Sequence, residues 1–528
     1  MRFFRTAIGY RLSVIGFSFL LFTAHCSLLT VLHAQGNSPF LTDKDQFNYA
    51  MFLYKQGHYQ VAAREFGRVI EYFPGSPIVP HAQYMIGDAY LNASVHREAK
   101  NQFEQFMKNF PDSEFNAEAA LKLGMAKAKL KDAELISAPK LPVIKVQPCR
   151  DMTCHALTEP TTPIRVVQIA LFESKDYQGV DDELNKLKAA GIDTIILRVF
   201  HNKGDRFYPF INISGKSHET SGVYFKTKES PLIEDVLAPV LSMAHKKELK
   251  VFAWMTTRYA DYGIEQRKDM ACKAYDIYSG DTVACKGLDL FNEDAVRHLE
   301  RVFQDLAGYP IDGILFQDDL VLKHNEGFGR YSEALYKKDT GRMLIPAELY
   351  INEEIPQYTP EFWKWAAWKN KRLLQVAVRL RAVVKNKNPD ARFAINLMYE
   401  SVSNPPNALA WLSQSLDAAV KQGFDYYAIM AYHRQMQDEL KKEPYEINSL
   451  IQKMANEAVR LVGEPCKVLM KFQTIDWNTS QPLPDDDVIT LLNKVKEVGN
   501  ISLAVAPYRR DFPFEEIGGQ KKVTQLLR

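Results

Sequence analysis

The sequence has little of what marks several large protein classes. Six cysteines in 528 residues are too few to build a disulfide scaffold. Basic and acidic side chains number 66 and 64, so no broad positive field is available to bind nucleic acid. Glycine and proline, at 26 each, are near average and leave no room for a dominant low-complexity tract. The 46% of hydrophobic residues can form a large core, and at roughly 150 residues per domain the length allows about two to four domains.

A single long apolar run occurs, and it lies at the N-terminus. Three arginines precede an apolar segment that ends near Leu32. This order predicts a secretory signal peptide over residues 1–34, with an uncleaved membrane anchor as the alternative. Cys26 would suit a lipoprotein signal, although His25 before it is larger than the residue such signals prefer. We therefore expect export to the periplasm or cell envelope.

Export would place the cysteines where disulfides can form. Cys149 lies close to Cys154, and Cys272 lies close to Cys285, so two local disulfides could leave Cys466 free. Reduced thiols are the alternative. No second ligand pair lies near Cys149 and Cys154, so a zinc site is not expected there.

Residues 40–137 show only helical periodicity and contain a repeated unit. Two copies end in Phe-Pro, carry small residues at matching positions (Ala50 and Gly87, Ala63 and Ala99), and are followed by a degraded third copy, AEAALKLGMAKAKL. Each copy reads as a helix hairpin whose apolar face a neighbour must cover. The region resembles the tetratricopeptide repeats of bacterial outer-membrane assembly lipoproteins, which implies a surface for envelope export proteins. A generic helical bundle is the alternative.

Residues 138–163 form a predicted linker, because five prolines interrupt any helix there. After it, eight short apolar runs alternate with amphipathic helical patterns: RVVQIALF, DTIILRVF, LKVFAWMTT, IDGILFQDD, ARFAINLMY, YYAIMAY, CKVLMKFQTI and ISLAVAPY. This alternation predicts an α/β fold, a closed (β/α)8 TIM barrel over residues 164–528. An open doubly wound sheet would need a glycine-rich loop after the first strand, and residues 171–174 supply none.

The predicted strand ends carry polar and aromatic side chains, and in such barrels these ends form the active site. Those singled out are Arg198, Trp254, Gln317, Asp318, Asp319, Asn396, Glu400, Tyr432, Gln473, Asp476 and Trp477. Carboxylates among aromatic rings are typical of a sugar site, since rings stack on pyranose faces and carboxylates move protons. No serine-hydrolase elbow and no His/Asp/Glu cluster with metal spacing occurs, so neither a metal nor a cofactor is expected.

Asp318 and Asp319 emerge at the end of a predicted strand whose interior residues 314–316 are apolar. Neighbouring strand residues point to opposite sides, so at most one of the pair can face the barrel axis. The other would cap the next loop or hold the first in place. A carboxyl crowded by a second carboxyl and apolar walls has a raised pKa, which suits a general acid. A simple loop and helix cap is the alternative.

The segment LDLFNEDAVRHLERVFQDLAGYPIDGILFQDDLVL resembles the C-terminal glycoside hydrolase domain of the PgaB family, as do FWKWAAWKNKRL, YYAIMAY and KFQTIDW. The likeness implies a (β/α)8 hydrolase acting on partially de-N-acetylated poly-β-1,6-N-acetyl-D-glucosamine, a biofilm exopolysaccharide, during synthesis or export. It implies that the catalytic acid belongs to the pair Asp318 and Asp319. Trp254, Trp477 and Tyr432 correspond to sugar-binding aromatics.

The sequence departs from that family in two places. Gln317 stands where the family commonly has histidine, and glutamine cannot titrate. Helical repeats occupy the place of the family's metal-binding deacetylase domain, so no deacetylase activity is expected. Arg198, Glu400, Gln473 and Asp476 are further candidate substrate contacts beside the aromatic residues.

Two mechanisms and two further functions stay open at this point. One carboxylate could act with the substrate's own acetamide, or Glu400 or Asp476 could serve as a second carboxylate. A non-catalytic polysaccharide-binding or export module is one alternative to hydrolysis of this polymer. A barrel of another glycosidase specificity, such as a chitinase, is the other.

Overall fold

The computed structural model describes residues 42–136, 162–351 and 357–518. The predicted export segment and the pair Cys149 and Cys154 lie outside the described residues. Within those ranges, no helix combines the length and the apolar character needed to cross a membrane.

The N-terminal region is built from five consecutive helices, which confirms the predicted all-helical repeats. They are α1 (Asp43–Lys55), α2 (Tyr59–Tyr72), α3 (Val79–Asn92), α4 (His96–Asn109) and α5 (Asn116–Ile136). The small residues of the repeat lie where helices cross closely. A Cβ atom added at Gly87 would lie 2.7 Å from the Phe103 ring, so this crossing requires glycine.

Eight parallel strands close into a barrel, which confirms the predicted TIM barrel. They are β1 (Arg165–Ile169), β2 (Thr194–Arg198), β3 (Lys250–Met255), β4 (Gly313–Phe316), β5 (Arg392–Met398), β6 (Tyr426–Met430), β7 (Val468–Gln473) and β8 (Ser502–Ala506). Each strand pairs with its neighbours in chain order, and β8 pairs with β1. The strands are almost entirely buried because helices cover the outside and side chains fill the inside.

Helices follow or connect these strands around the barrel. They are α6 (Tyr177–Ala189), α7 (Leu237–Lys246), α8 (Glu293–Leu306), α9 (Arg330–Thr340), α10 (Pro360–Lys387), α11 (Glu400–Ser403), α12 (Pro405–Leu412), α13 (Leu416–Val420), α14 (His433–Leu440), α15 (Pro444–Val462), α16 (Asp485–Lys496) and α17 (Glu515–Gly518). Single 3-10 turns cover Lys268–Met270, Pro346–Glu348 and Pro465–Lys467.

Three small two-stranded ribbons decorate the loops. They pair Phe200–His201 with Gly222–Val223, Ala271–Tyr275 with Thr282–Leu288, and Tyr350–Ile351 with Gln357–Tyr358. A disulfide between Cys272 and Cys285 closes the second ribbon, as one of the two predicted pairings requires. Cys466 is free and buried.

The repeat region packs directly on the outside of the barrel. The Tyr49 ring of α1 lies 5.3 Å from the Trp363 ring of α10, centroid to centroid. Both rings are buried. A salt bridge of 3.5 Å between Arg64 of α2 and Glu457 of α15 adds a second contact. The two regions therefore share an interface with both apolar and charged parts.

Candidate active site

The two aspartates after β4 have different surroundings. Asp319 is 3% exposed and accepts hydrogen bonds from the backbone N–H groups of Thr257 and Tyr259, at 2.9 and 2.8 Å. The Thr257 hydroxyl donates to it as well, at 2.7 Å. Asp319 therefore holds the loop that follows β3. Burial raises its pKa, and these hydrogen bonds oppose the rise.

Asp318 is the aspartate that remains available for chemistry. Its side chain is partly exposed, and among the described residues no other group donates a hydrogen bond to its carboxylate. Burial raises the pKa of Asp318 to about 6; the neighbouring charge of Asp319 adds to the rise, and the Lys471 ammonium opposes it. A carboxyl that is partly protonated near neutral pH and free to contact a ligand can act as a general acid.

Lys471 connects this aspartate to the barrel interior. Its Nζ atom donates a 2.8 Å hydrogen bond to Asn396 Oδ1. Because β6 separates their strands β5 and β7, this bond has to cross inside the barrel. Burial lowers the pKa of Lys471 to about 7, and the Asp318 charge opposes the fall. The Lys471 ammonium therefore keeps the pKa of Asp318 from rising further.

An apolar wall stands beside Asp318 at the ends of β4, β5 and β6. It consists of Met398, Leu412 and Met430, with Val321, Trp411 and Tyr432 packed against them. The Tyr432 ring meets the Trp477 ring edge-on, with centroids 5.5 Å apart. Both of these rings are partly exposed. The structure therefore brings two of the three predicted sugar-binding aromatics together.

Glu400 forms a coupled pair of carboxyls with Glu439 of α14. Burial raises the pKa of Glu400 to about 8, and the Glu439 charge adds to the rise. Burial also raises the pKa of Glu439, against hydrogen bonds of 2.8 Å from the Gln435 amide and the Tyr399 hydroxyl. With a pKa of about 8, Glu400 holds its proton at neutral pH, so the two carboxyls together carry at most one negative charge.

Three polar atoms at these strand ends are buried and lack a hydrogen-bond partner within the described ranges. They are Glu400 Oε2, Gln473 Nε2 and Trp477 Nε1. Buried polar atoms are normally paired, so such a group implies partners supplied by water or a bound molecule. The Glu400 oxygen can accept a hydrogen bond, and the Gln473 and Trp477 nitrogens can donate one each. These roles match the hydroxyl and acetamide groups of an aminosugar.

The remaining predicted contacts are engaged within the protein. Arg198 is 2% exposed and pairs with Asp205 at 3.4 Å. Trp254 is 5% exposed, and its indole N–H donates to Gln317 Oε1. Asp476 accepts hydrogen bonds from backbone N–H groups of the next turn and pairs with the Arg434 guanidinium. Burial raises the pKa of Asp476, but these contacts outweigh it and the pKa is lowered. The structure thus places these three in supporting positions around the site.

Two site residues escaped sequence reasoning. Lys471 was detectable as the one charged residue within the apolar run VLMKFQ. Glu439 lies on a helix with no local signal, because only the fold brings it to Glu400. Among the residues of the three described ranges, no group of three or more His, Cys, Asp and Glu side chains could hold a metal ion.

The barrel and the repeat region each match a known protein family. The profile of the hypothetical glycosyl hydrolase family 13 matches residues 174–505, and that of the outer membrane lipoprotein family YfiO matches residues 37–139. No curated protein sequence matches the chain. The PgaB (BpsB) glycoside hydrolase domain of Bordetella bronchiseptica is similar in structure, with a TM-score of 0.52, 20% identity, and coverage of 65% of this chain and 94% of that one.

A β-galactosidase from Rahnella sp. R3 also aligns, with a TM-score of 0.46, 11% identity, and coverage of 69% of this chain and 56% of that one. The catalytic domain of β-amylase from Paenibacillus polymyxa gives a TM-score of 0.41 at 9% identity, covering 66% and 93%. At 20% identity, the likeness to the PgaB domain bears on the fold alone, and it agrees with the closed barrel.

Proposed function

The chain belongs to the hypothetical glycosyl hydrolase family 13, and we propose that its barrel cleaves partially de-N-acetylated poly-β-1,6-N-acetyl-D-glucosamine from within the polymer. The observation that carries this proposal is the state of Asp318. It is a partly exposed carboxyl with a pKa raised to about 6 and no hydrogen bond from another described residue. In the proposed hydrolysis Asp318 gives its proton to the glycosidic oxygen as the bond from that oxygen to the anomeric carbon breaks. A water oxygen then takes the place of the leaving oxygen on that carbon, and the proton released from the water restores the Asp318 carboxyl.

The charge and shape of the site support an aminosugar polymer. Free amines of the polymer are cationic, and the Glu439 charge that raises the pKa of Glu400 attracts them. Trp477 and Tyr432 offer ring surface to pyranose faces. Gln473 Nε2 and Trp477 Nε1, which have no partner among the described residues, can donate hydrogen bonds to sugar oxygens. The motif likeness to the PgaB family supports the same polymer.

The cell envelope is the proposed location, and the repeat region is the proposed contact for export proteins. The basic and apolar N-terminal segment of the sequence supports export. The match of residues 37–139 to an outer membrane lipoprotein family supports an envelope setting.

A panel of polymers tests the proposed substrate. We expect the purified full chain to release oligosaccharides from partially de-N-acetylated β-1,6-linked N-acetylglucosamine polymer, because the site combines an acid, ring surface and a negative charge. Product ladders read by mass spectrometry measure this release. The fully N-acetylated β-1,6 polymer should be cleaved more slowly, because it lacks the amines that the glutamate pair attracts.

The same panel contains the contradicting outcomes. Equal cleavage of a partially de-N-acetylated β-1,4 polymer would indicate another glycosidase specificity. Retained binding of the β-1,6 polymer with no products, measured by isothermal calorimetry, would instead indicate a binding or export module.

The pH dependence of hydrolysis tests the role assigned to Lys471. Asp318 must hold its proton to act, so kcat/KM falls as pH rises through its pKa of about 6. The Lys471→Met substitution removes the cation that lowers this pKa. We therefore expect the alkaline limb of the profile to move upward by about one pH unit.

The exposed Lys338 provides a control, and Lys338→Met should leave the limb in place. A limb that stays fixed or moves downward in Lys471→Met would refute the electrostatic link between Lys471 and Asp318.

A further inference from the structure

Helix α2 of the repeat region contacts the barrel beside the coupled glutamates. The Arg68 guanidinium donates a 3.2 Å hydrogen bond to the carbonyl of Val402, and the Tyr72 hydroxyl donates a 3.0 Å bond to the carbonyl of Ser403. Both carbonyls belong to α11, whose first residue is Glu400. Two side chains of the repeat region thus hold the single helical turn that carries Glu400.

The turn has few other ways to satisfy these carbonyls. The last carbonyls of a helix have no partner within it, and they carry the negative end of its dipole. In a helix of four residues this applies to the greater part of the backbone. A buried guanidinium and a phenol hydroxyl supply the missing donors from the neighbouring region. The position of α11 therefore depends on α2.

Arg68 is itself held in place by Glu65 of the same helix. It is 8% exposed, and its Nη1 atom contacts both carboxylate oxygens of Glu65 at 2.9 Å. Gln46 of α1 donates to the Glu65 carbonyl at 3.0 Å and to its carboxylate at 3.2 Å. A hydrogen-bonded series therefore runs from α1 through α2 to the turn that begins with Glu400.

The proton on Glu400 depends on where this turn lies. Burial is the largest cause of the raised pKa of Glu400, and proximity to Glu439 is the second. Glu439 accepts hydrogen bonds from Gln435 of its own helix and from Tyr399, the residue that directly precedes Glu400. A displacement of α11 would expose Glu400 to water and move it relative to Glu439. Its pKa would then fall towards the ordinary value for glutamate.

We propose that Arg68 and Tyr72 are positioning residues for Glu400, so that the repeat region is a working part of the polymer site. This inference rests on the proposed function for the role of Glu400 as a substrate contact. The proposed effect of α2 on the pKa of Glu400 does not depend on a substrate being bound.

The Tyr72→Phe variant of the full chain tests the coupling with least disturbance, because Tyr72 is 42% exposed and loses only its hydroxyl. Infrared titration of the carboxyl band, read as the difference from Glu400→Gln, follows the glutamate pair. We expect its pKa to fall by about half a unit in Tyr72→Phe. The double variant Arg68→Met/Glu65→Gln, which leaves no buried charge unpaired, should lower it by about one unit.

Tyr445→Phe is the matched control, because Tyr445 is 73% exposed on α15 and its titration curve should equal that of the unaltered chain. With polymer, Tyr72→Phe should raise KM roughly threefold while kcat, which depends on Asp318, changes less than about twofold. Unchanged titration in both Tyr72→Phe and the double variant would overturn the coupling. A shifted titration in a chain that cleaves no polymer would sustain the coupling and refute the proposed function alone.

Discussion

Replacing Asp318 by asparagine is expected to lower kcat for polymer hydrolysis by about 10²- to 10⁴-fold, the usual contribution of a general acid. The amide has nearly the same shape as the carboxyl but cannot supply the proton that the leaving oxygen needs. Because no other described group donates a hydrogen bond to the Asp318 carboxylate, the fold should be unaffected. Product release and circular dichroism on the same samples measure both effects.

Asp390 offers a matched control for this substitution. It is exposed and precedes β5, so it lies at the opposite end of the barrel from Asp318. Asp390→Asn should retain full activity. Wild-type rates in Asp318→Asn would exclude Asp318 as the acid and direct attention to the Glu400–Glu439 pair, whose raised pKa also provides a proton.

Replacing Asp319 by alanine is expected to destabilise the protein by about 3 kcal/mol, as measured by urea unfolding. The substitution leaves the N–H groups of Thr257 and Tyr259 without acceptors in a buried loop. Each unpaired buried donor costs about 1 to 3 kcal/mol. Activity should fall as well, because the loop after β3 borders the site.

Asp318→Ala serves as the comparison, since it removes the same atoms one residue earlier. Its free energy of unfolding should change by less than about 0.5 kcal/mol, or rise, because a carboxyl with a burial-raised pKa does not favour the folded state in its charged form. If Asp318→Ala proves the more destabilising of the two, the separation of catalytic and loop-holding roles is wrong.

The barrel was predictable because its strands are apolar on both faces. In β2, the residues from Thr194 to Arg198 are all buried, which matches the continuous run seen in the sequence. The fourth predicted strand proved too long: β4 ends at Phe316, and Asp318 and Asp319 leave the ladder, while the Gln317 N–H still donates to the Met255 carbonyl. The reason is that Asp319 accepts hydrogen bonds from the loop after β3, while the Gln317 side chain accepts one from the indole of Trp254 on β3.

The site was predictable only where local sequence carries the information. The alternation of strand side chains separated Asp318 from Asp319 in direction, but it did not indicate which one faces the ligand. That depended on the backbone N–H groups of another loop. Lys471 meets Asn396, and Glu439 meets Glu400, only after barrel closure brings distant strands and helices together.

The contact between the Tyr49 and Trp363 rings has a consequence for how the chain folds. During synthesis the repeat helices emerge first, while the α10 surface that covers Tyr49 is made only after half of the barrel has appeared. Contacts between segments so distant in sequence form slowly, because a long loop must close before they are gained. The nascent repeats therefore present an aromatic face to water for much of translation, a period in which a holding chaperone would protect them.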